Sequence, residues 1–456
     1  MNKVSNSRIR PHSANLRALL DDMEKSLANG MVPADIFSDP EVFQAELDRI
    51  FTRSWVFLGF ESEIPNSGDY VLRRIGRDSV IVTRDNKAQI HVLANFCPHR
   101  GPMLCQSDHG NASRFRCPYH GWVFKNNGDW IGAPEKSKAY GNIDASEWGM
   151  LKAPHVDTIC GMIFACLDPE AQPLLDYLGG AAWMIRSVMG LHSDGMKVMG
   201  PPDRFRVRGD WKNGAENFSG DGYHVGVAHS AVEYIGAASR FDEVNKYTLQ
   251  WVFPNGHSFL GHDLDAMFGE PAHFSLSSPE ISEQFDFLGL DELQIDIARR
   301  TPPLVGTIFP NLSLSRFAGP SKPGEPPVAY TMWRQWQPYA PGEMDLWNWS
   351  LKWDFMNDKQ ASDAYAAGQF AFGSAGVIEQ DDTAVWEGAP IAGESTWARK
   401  VGAHFNFQMG MEHLGGETQK PVTEWKGPGE LFRPGPGEAP QRSFYRKWLN
   451  EMQHGC

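Results

Sequence analysis

With 456 residues and 41% apolar side chains, the chain exceeds one ordinary domain and can bury two cores. Its formal charge of −14 argues against a nucleic-acid binder. Residues 1–20 lack the apolar run of a secretory signal, and no stretch reaches the length of a transmembrane helix, so the expectation is a cytoplasmic protein with no membrane or nucleic-acid partner.

Along the chain, Leu16, Leu19, Leu20, Met23 and Leu27 recur at helical spacing behind a candidate Ser13 cap. Ser38-Asp39-Pro40 predicts a second helix start, because a capping residue precedes a proline that suits the first turn. Phe43, Leu47, Ile50 and Phe51 mark its apolar face. From Trp55 the pattern changes to short strands, including Tyr70–Ile75, Ser79–Thr83, Ile90–Phe96 and the apolar Gly161–Leu167, with a hairpin signal at Asn126-Asn127-Gly128-Asp129. Further on, Tyr330–Gln337 and Trp347–Phe355 are aromatic-rich and alternating, as in an antiparallel sheet. Gly319–Pro327 and Gly427–Pro440 read as loops, and Ser443–Met452 as a terminal helix. The fold class is α+β, in three parts: N-terminal helices over 1–54 that pack on a catalytic domain, an all-β domain over 55–170, and the catalytic domain over 171–456, an antiparallel sheet with helices.

The all-β part contains Cys97-Pro98-His99-Arg100-Gly101 and Cys117-Pro118-Tyr119-His120-Gly121-Trp122, with seventeen residues between His99 and Cys117. Two thiolates and two imidazoles fit tetrahedral zinc. They also fit a Rieske cluster, with two cysteines on one iron and two histidines on the other. Zinc sites usually group cysteine with cysteine and histidine with histidine. Here each half carries one of each, which favours a dinuclear cluster between two hairpin tips. Pro98 and Pro118 stiffen the loops, and Gly101 and Gly121 allow close backbone approach. Of the remaining cysteines, Cys105 reads as structural, and Cys160 and Cys166 as buried hydrophobes.

A second motif is Trp211-Lys-Asn-Gly-Ala-Glu-Asn217-Phe218-Ser-Gly-Asp221-Gly-Tyr-His224-Val225-Gly226-Val-Ala-His229. Five residues apart, His224 and His229 would diverge on an ideal helix, so Gly226 is expected to distort or end it. A two-histidine, one-carboxylate iron site needs a third ligand. Phe372-Gly-Ser-Ala-Gly-Val-Ile378-Glu379-Gln-Asp381-Asp382 offers three candidates. Asp221 stands one helical turn before His224, where a carboxylate can fix the imidazole's orientation.

Taken together, these motifs resemble the large (α) subunits of Rieske non-haem iron aromatic-ring-hydroxylating dioxygenases, most of all the naphthalene, phenanthrene and polycyclic-hydrocarbon branch. The resemblance spans nearly the whole chain. It implies a helix-grip-like catalytic domain, a 2Fe-2S cluster on Cys97, His99, Cys117 and His120, and mononuclear Fe(II) on His224, His229 and Asp382, with Asp381 the runner-up carboxylate. It further implies that Asp221 bridges His224 to His120 of a neighbouring subunit, and that Asn217 stands near the iron as a weak ligand or hydrogen-bond donor. Phe218, Val225, Phe372 and Ile378 are placed by the motifs to line an apolar pocket, without a fixed cation, that favours a hydrocarbon over an aromatic acid. The implied reaction adds both atoms of O2 to an aromatic hydrocarbon, giving a cis-dihydrodiol. Electrons come from NADH through a separate reductase and a ferredoxin. Assembly with a small β subunit in a three-fold hetero-oligomer is also implied. Two readings stand beside it: a Rieske monooxygenase or demethylase, and a zinc-stapled binding module. Loops such as Phe259–Phe287 set the pocket volume and have no sequence signal that places them.

Overall fold

The structure, a computed structural model, describes residues 16–236, 245–269, 276–433 and 435–454. The chain divides into two compact units, Phe51–Leu174 and the combination of Met1–Ile50 with Leu175–Cys456.

The Phe51–Leu174 unit is built from short antiparallel strands. Ile90–Ala94, Asp78–Arg84, Asp69–Ile75 and His109–Asn111 form a four-stranded sheet in that order. Arg114–Arg116, Val123–Lys125 and Trp130–Gly132 form a second sheet. His155–Ile159, Met162–Cys166 and Val56–Phe60 form a third. The expected Asn126–Asp129 hairpin is present, with Gly128 in the left-handed region at φ +88°. Ile81, Leu93, Phe115, Trp122, Phe124, Trp130 and Met150 fill the core together with Cys97, Cys105 and Cys117. Cys166 is buried as expected, but Cys160 is not: it occupies the turn before Met162 with φ +48° and is half-buried.

The larger unit is organised on a nine-stranded antiparallel sheet among the described residues. Met196–Val198 and Asp203–Arg208 both pair with Glu343–Trp353. There follow Pro327–Ala340, Leu312–Pro320, Pro303–Ile308, Ser258–His262, Thr248–Val252 and Glu430–Phe432. The two aromatic strands run longer than their alternating cores, so only residues 321–326 of the expected Gly319–Pro327 loop stay outside strands. Gly427–Pro440 likewise contains an edge strand and the first turn of the terminal helix Ala439–Gln453.

Helices cover this sheet. Leu16–Leu27 buries Leu19, Leu20, Met23 and Leu27, as their spacing predicts; Ser13 lies outside the described residues. Pro40–Glu46 starts where expected, with Asp39 accepting from the N–H groups of Glu41 and Val42. Its apolar face continues through a wider turn at Leu47–Phe51. The Phe259–Phe287 region supplies the strand Ser258–His262 and the short helices Leu264–Phe268 and Pro279–Ser282; residues 270–275 lie outside the described ones. No helix among the described residues is long and apolar enough to cross a membrane.

One buried charge cluster ties the unit together. The helix Trp211–Asn217 is capped by Asp210, whose carboxylate accepts from Lys212 N–H at 3.0 Å. The Lys212 ammonium is wholly buried and lies 2.6 Å from both Asp210 and Glu46. Glu46 also accepts from the indoles of Trp211 at 2.9 Å and Trp448 at 2.7 Å. Burial pushes the Glu46 carboxyl up to about 7 against the pull of Lys212. The N-terminal, central and C-terminal helices therefore share one ammonium. Removing it strands two buried carboxylates, and Lys212→Met is expected to cost about 3–5 kcal/mol in urea unfolding.

Two candidate metal centres

The two Cys/His loops close in the same way. Gly101 N–H donates to Cys97 O at 2.8 Å, and Gly121 N–H to Cys117 O at 3.1 Å. Both glycines adopt left-handed backbone, φ +85° and +70°, which a side chain would strain. Their settings differ from the expected pair of hairpin tips. The Cys117 loop is a hairpin tip between Arg114–Arg116 and Val123–Lys125. The Cys97 loop instead connects Ile90–Ala94 to His109–Asn111, strands at opposite edges of the four-stranded sheet. A crossing loop needs its own closure. Asn95 provides it, accepting from Cys105 N–H at 2.9 Å and donating to Cys105 O at 2.9 Å. The Cys105 side chain itself is buried in the core of this unit.

At the centre, Cys97 and Cys117 are buried, and His99 and His120 are half-buried. Burial pushes the Cys97 thiol up to about 11; the backbone N–H groups of His99 and Arg100 pull the other way, and Cys117 adds to the rise. The imidazoles lie 4.6 Å apart, and His99 stacks on Trp122 at 4.8 Å with 3° between the planes. Trp122 donates in turn to the Tyr140 hydroxyl at 3.2 Å. The Nδ1 atoms of both histidines are buried without a hydrogen-bond partner. Stranding two such nitrogens costs free energy unless something else binds them. Two thiols beside two free imidazole nitrogens suit a cluster with mixed ligation.

In the larger unit, His224 Nε2 and His229 Nε2 approach to 3.2 Å. Asp382 Oδ1 lies 3.5 Å from the first and 3.2 Å from the second. The three donor atoms lie within 4.8 Å of one another. Asp382 Oδ1 forms no well-angled hydrogen bond, so the atoms face a common point rather than pairing off. Burial opposes charge on His224, yet Asp221 and Asp382 outweigh it and lift the imidazole to about 10. Burial raises Asp382 too, yet the two histidines win and hold it at about 2. The site calls for positive charge.

The backbone achieves this convergence differently from expectation. The break comes at His229 itself, φ −101° and ψ 18°, between Val225–Ala228 and Ser230–Tyr234, and Gly226 stays inside the first short helix. Asp221 lies between the helices Trp211–Asn217 and Val225–Ala228 and sits in a turn, accepting from the N–H groups of Tyr223 at 3.0 Å and His224 at 3.3 Å. Its other oxygen lies 3.2 Å from His224 Nδ1. Asp381, the runner-up ligand, has the matching place on His229, with Oδ2 3.3 Å from Nδ1. Each histidine thus has a carboxylate behind Nδ1, which leaves Nε2 free to face Asp382. Asn217 stands 3.5 Å from His224 Nδ1, behind the ring rather than on the ligand side.

Of the four expected pocket residues, Phe218 and Phe372 are buried and meet edge to face at 6.1 Å. Val225 opens the first short helix and Ile378 immediately precedes Glu379–Trp386; both are half-buried. Trp336 packs on Phe218 at 5.2 Å. Gly214 permits this approach, since a Cβ there would fall 2.4 Å from the indole. A buried cation nevertheless stands beside these rings. The Arg334 guanidinium lies 4.8 Å from the Phe218 ring and 4.7 Å from Phe372, paired with Glu379. A charged residue on the inward face of an alternating aromatic strand was the signal for it. The Glu379 carboxylate neutralises that charge, so a carboxylate substrate gains no free cation there.

Residues 54–152 match the Rieske [2Fe-2S] domain, and residues 194–454 match the catalytic domain of the ring-hydroxylating alpha subunit. The chain belongs to the ring-hydroxylating alpha-subunit family. As a Rieske oxygenase large subunit it carries a 2Fe-2S cluster and a catalytic non-haem iron, which removes the zinc alternative. It is 44% identical to the N,N-dimethyl phenylurea N-demethylase subunit alpha of Sphingobium sp. (strain YBL2), over 95% of this chain and 94% of that one. It is 31% identical to the large oxygenase component of the naphthalene 1,2-dioxygenase system of Pseudomonas putida, over 91% and 89%. Among solved structures, naphthalene 1,2-dioxygenase from Rhodococcus sp. bound to indole superposes with a TM-score of 0.89 at 34% identity, covering 96% and 98%.

The two aspartates separate experimentally. Asp382→Ala is expected to abolish mononuclear iron binding while the cluster spectrum survives. Asp381→Ala is expected to weaken the iron by about 10–100-fold, as loss of an orienting partner does. Iron and acid-labile sulfide analysis after dialysis against graded chelator distinguishes the two.

Proposed function

We propose that this Rieske oxygenase large subunit oxygenates a neutral aromatic molecule, with Cys97, His99, Cys117 and His120 holding the cluster and His224, His229 and Asp382 holding the iron. The observation that carries the reading is the aromatic cluster of Phe218, Phe372 and Trp336, the first two of which lie on the segments that supply the three convergent donors. When bound, the cluster supplies single electrons and the iron supplies dioxygen activation.

The protein's part is orientation and exclusion. Phe218 and Phe372 are buried on the segments that carry the donors, and we assign them the apolar side of the substrate space. Asp221 and Asp381 hold the imidazoles so that both Nε2 atoms point inward. The Asp221 side chain is 31% exposed, and we assign it the bridge toward His120 of a neighbouring copy. Electrons reach the chain from NADH through a separate reductase and ferredoxin, and a small β subunit completes a three-fold assembly. The relatives' names as a "large oxygenase component" and a "subunit alpha" support partner chains of this kind.

Two oxygenations suit such a pocket. Cis-dihydroxylation places both atoms of O2 on the ring, as in the naphthalene branch. N-demethylation places one atom on an N-methyl carbon, which leaves as formaldehyde, and reduces the other to water. Both consume two electrons and two protons per O2. The 44% identity to a phenylurea N-demethylase, against 31% to a naphthalene dioxygenase component, favours N-demethylation of a neutral N-methylated aromatic compound.

Reconstitution under 18O2 with naphthalene, phenanthrene and N,N-dimethyl phenylurea tests this. Formaldehyde with one labelled oxygen is the expected product from the urea; a doubly labelled dihydrodiol from the hydrocarbons returns the reaction to the dioxygenase branch. Oxidation of aromatic acids alone overturns the neutral-substrate reading. Asp221→Asn is expected to keep both metal centres and lose most turnover, and wild-type rates in that variant would refute the bridge.

A further inference from the structure

Behind the proposed iron carboxylate lies a polar chain that none of the metal motifs accounts for. Arg334 and Asn348 stand directly opposite each other on Pro327–Ala340 and Glu343–Trp353. Arg334 Nε donates to Asn348 Oδ1 at 3.0 Å. The Asn348 amide then donates to the carbonyl of Phe372 at 2.8 Å, at the end of Asp358–Phe372. The other arm of Arg334 pairs with Glu379, the first residue of Glu379–Trp386. Arg334, Asn348 and Glu379 are all at least 99% buried, and Phe218, Trp336 and Phe372 surround the guanidinium within 4.8 Å.

These bonds pin both ends of the segment that joins the two helices. Phe372 is held on one side and Glu379 on the other, with residues 373–378 between them. Glu379 and Asp382 are three apart on one helix, hence on one face. Both are buried along with Trp386, whereas Gln380 is exposed. A helix anchored at Glu379 has its rotation set, and that rotation decides whether Asp382 or a neighbour faces the imidazoles.

We infer that Arg334, with Asn348, is a positioning residue for the mononuclear metal: through Glu379 it sets the turn of the helix that presents Asp382 to His224 and His229. This rests on the assignment of those three residues as metal ligands. The charge-assisted, two-armed geometry suits arginine, because one planar group serves strand and helix at once.

The test is Co(II) binding to chelator-treated protein with its cluster retained, followed by the visible absorption of the bound ion. The variants are Arg334→Lys, Glu379→Gln and the double variant Arg334→Met/Glu379→Met, which leaves no lone buried charge. Circular dichroism and the cluster spectrum report folding. Affinity is expected to fall about 10–100-fold in the double variant, with an altered cobalt spectrum. Arg334→Lys, which keeps the charge on Glu379 but loses the planar fork to Asn348, should recover part of it, and Glu379→Gln should lie between wild type and the double variant. Wild-type affinity and spectrum in the double variant overturn the proposal. If the double variant does not fold, Glu379→Gln decides: unchanged affinity overturns the proposal, and a several-fold loss supports it. Asp382→Ala serves as the separate control, since undiminished binding there refutes the ligand assignment rather than the role of Arg334.

Discussion

A single buried ammonium connects the parts of the larger unit that must be in register for its site to exist. Lys212 draws Glu46 from before the cluster unit and Asp210 from the cap of Trp211–Asn217, while Glu46 also binds Trp448 of the terminal helix. Asn217 ends the capped helix, and Asp221 and His224 follow in the next turn. A shift of the helix start would therefore carry through to the imidazoles. Two carboxylates against one ammonium leave an excess negative charge, and burial shifts Glu46 upward in consequence. The indole N–H groups of Trp211 and Trp448 spread that charge without adding another ion.

At the site itself an excess of carboxylate is met in another way. His224, His229 and Asp382 are held close enough to demand a cation, and each histidine has a carboxylate at its back. The two carboxylates behind the imidazoles differ in exposure from the proposed ligand: Asp221 and Asp381 keep about a third of their side-chain surface, at 31% and 30%, while Asp382 keeps 3%. Solvated partners can bear charge cheaply, and the desolvated one bears it only opposite positive charge.

Much of this was legible in the sequence because it is local. The Cys97 and Cys117 loops carry their proposed ligands within four residues, and the glycine that closes each lies in the same motif. The pairing of His224 with His229 is local as well. The choice of Asp382 over Asp381 was not readable from spacing and came from the family resemblance. What stayed hidden depends on contacts between distant segments. Arg334 meets Glu379 across 45 residues, and nothing near either one signals the other. The Asp221 turn escaped for another reason: an i,i+3 spacing fits a helical turn and a side-chain-capped bend equally well, and only the backbone distinguishes them. The cluster loops were misread as a matched pair because similar motifs hide unlike connections.

The insertion of Phe51–Leu174 between two parts of one unit has a consequence for synthesis. Glu46 waits for Trp448, 402 residues later, and the Arg49 guanidinium waits for the Met452 carbonyl, 403 residues later. The cluster unit is contiguous, and even its longest-range pairing, Val56–Phe60 with Met162–Cys166, lies within it, so a growing chain can complete it first. While the ribosome makes the remainder, the first helices hold an apolar face and a carboxylate whose partners do not yet exist. The larger unit is thus split by translation itself, its first helices made before the cluster unit and their partners only at the end.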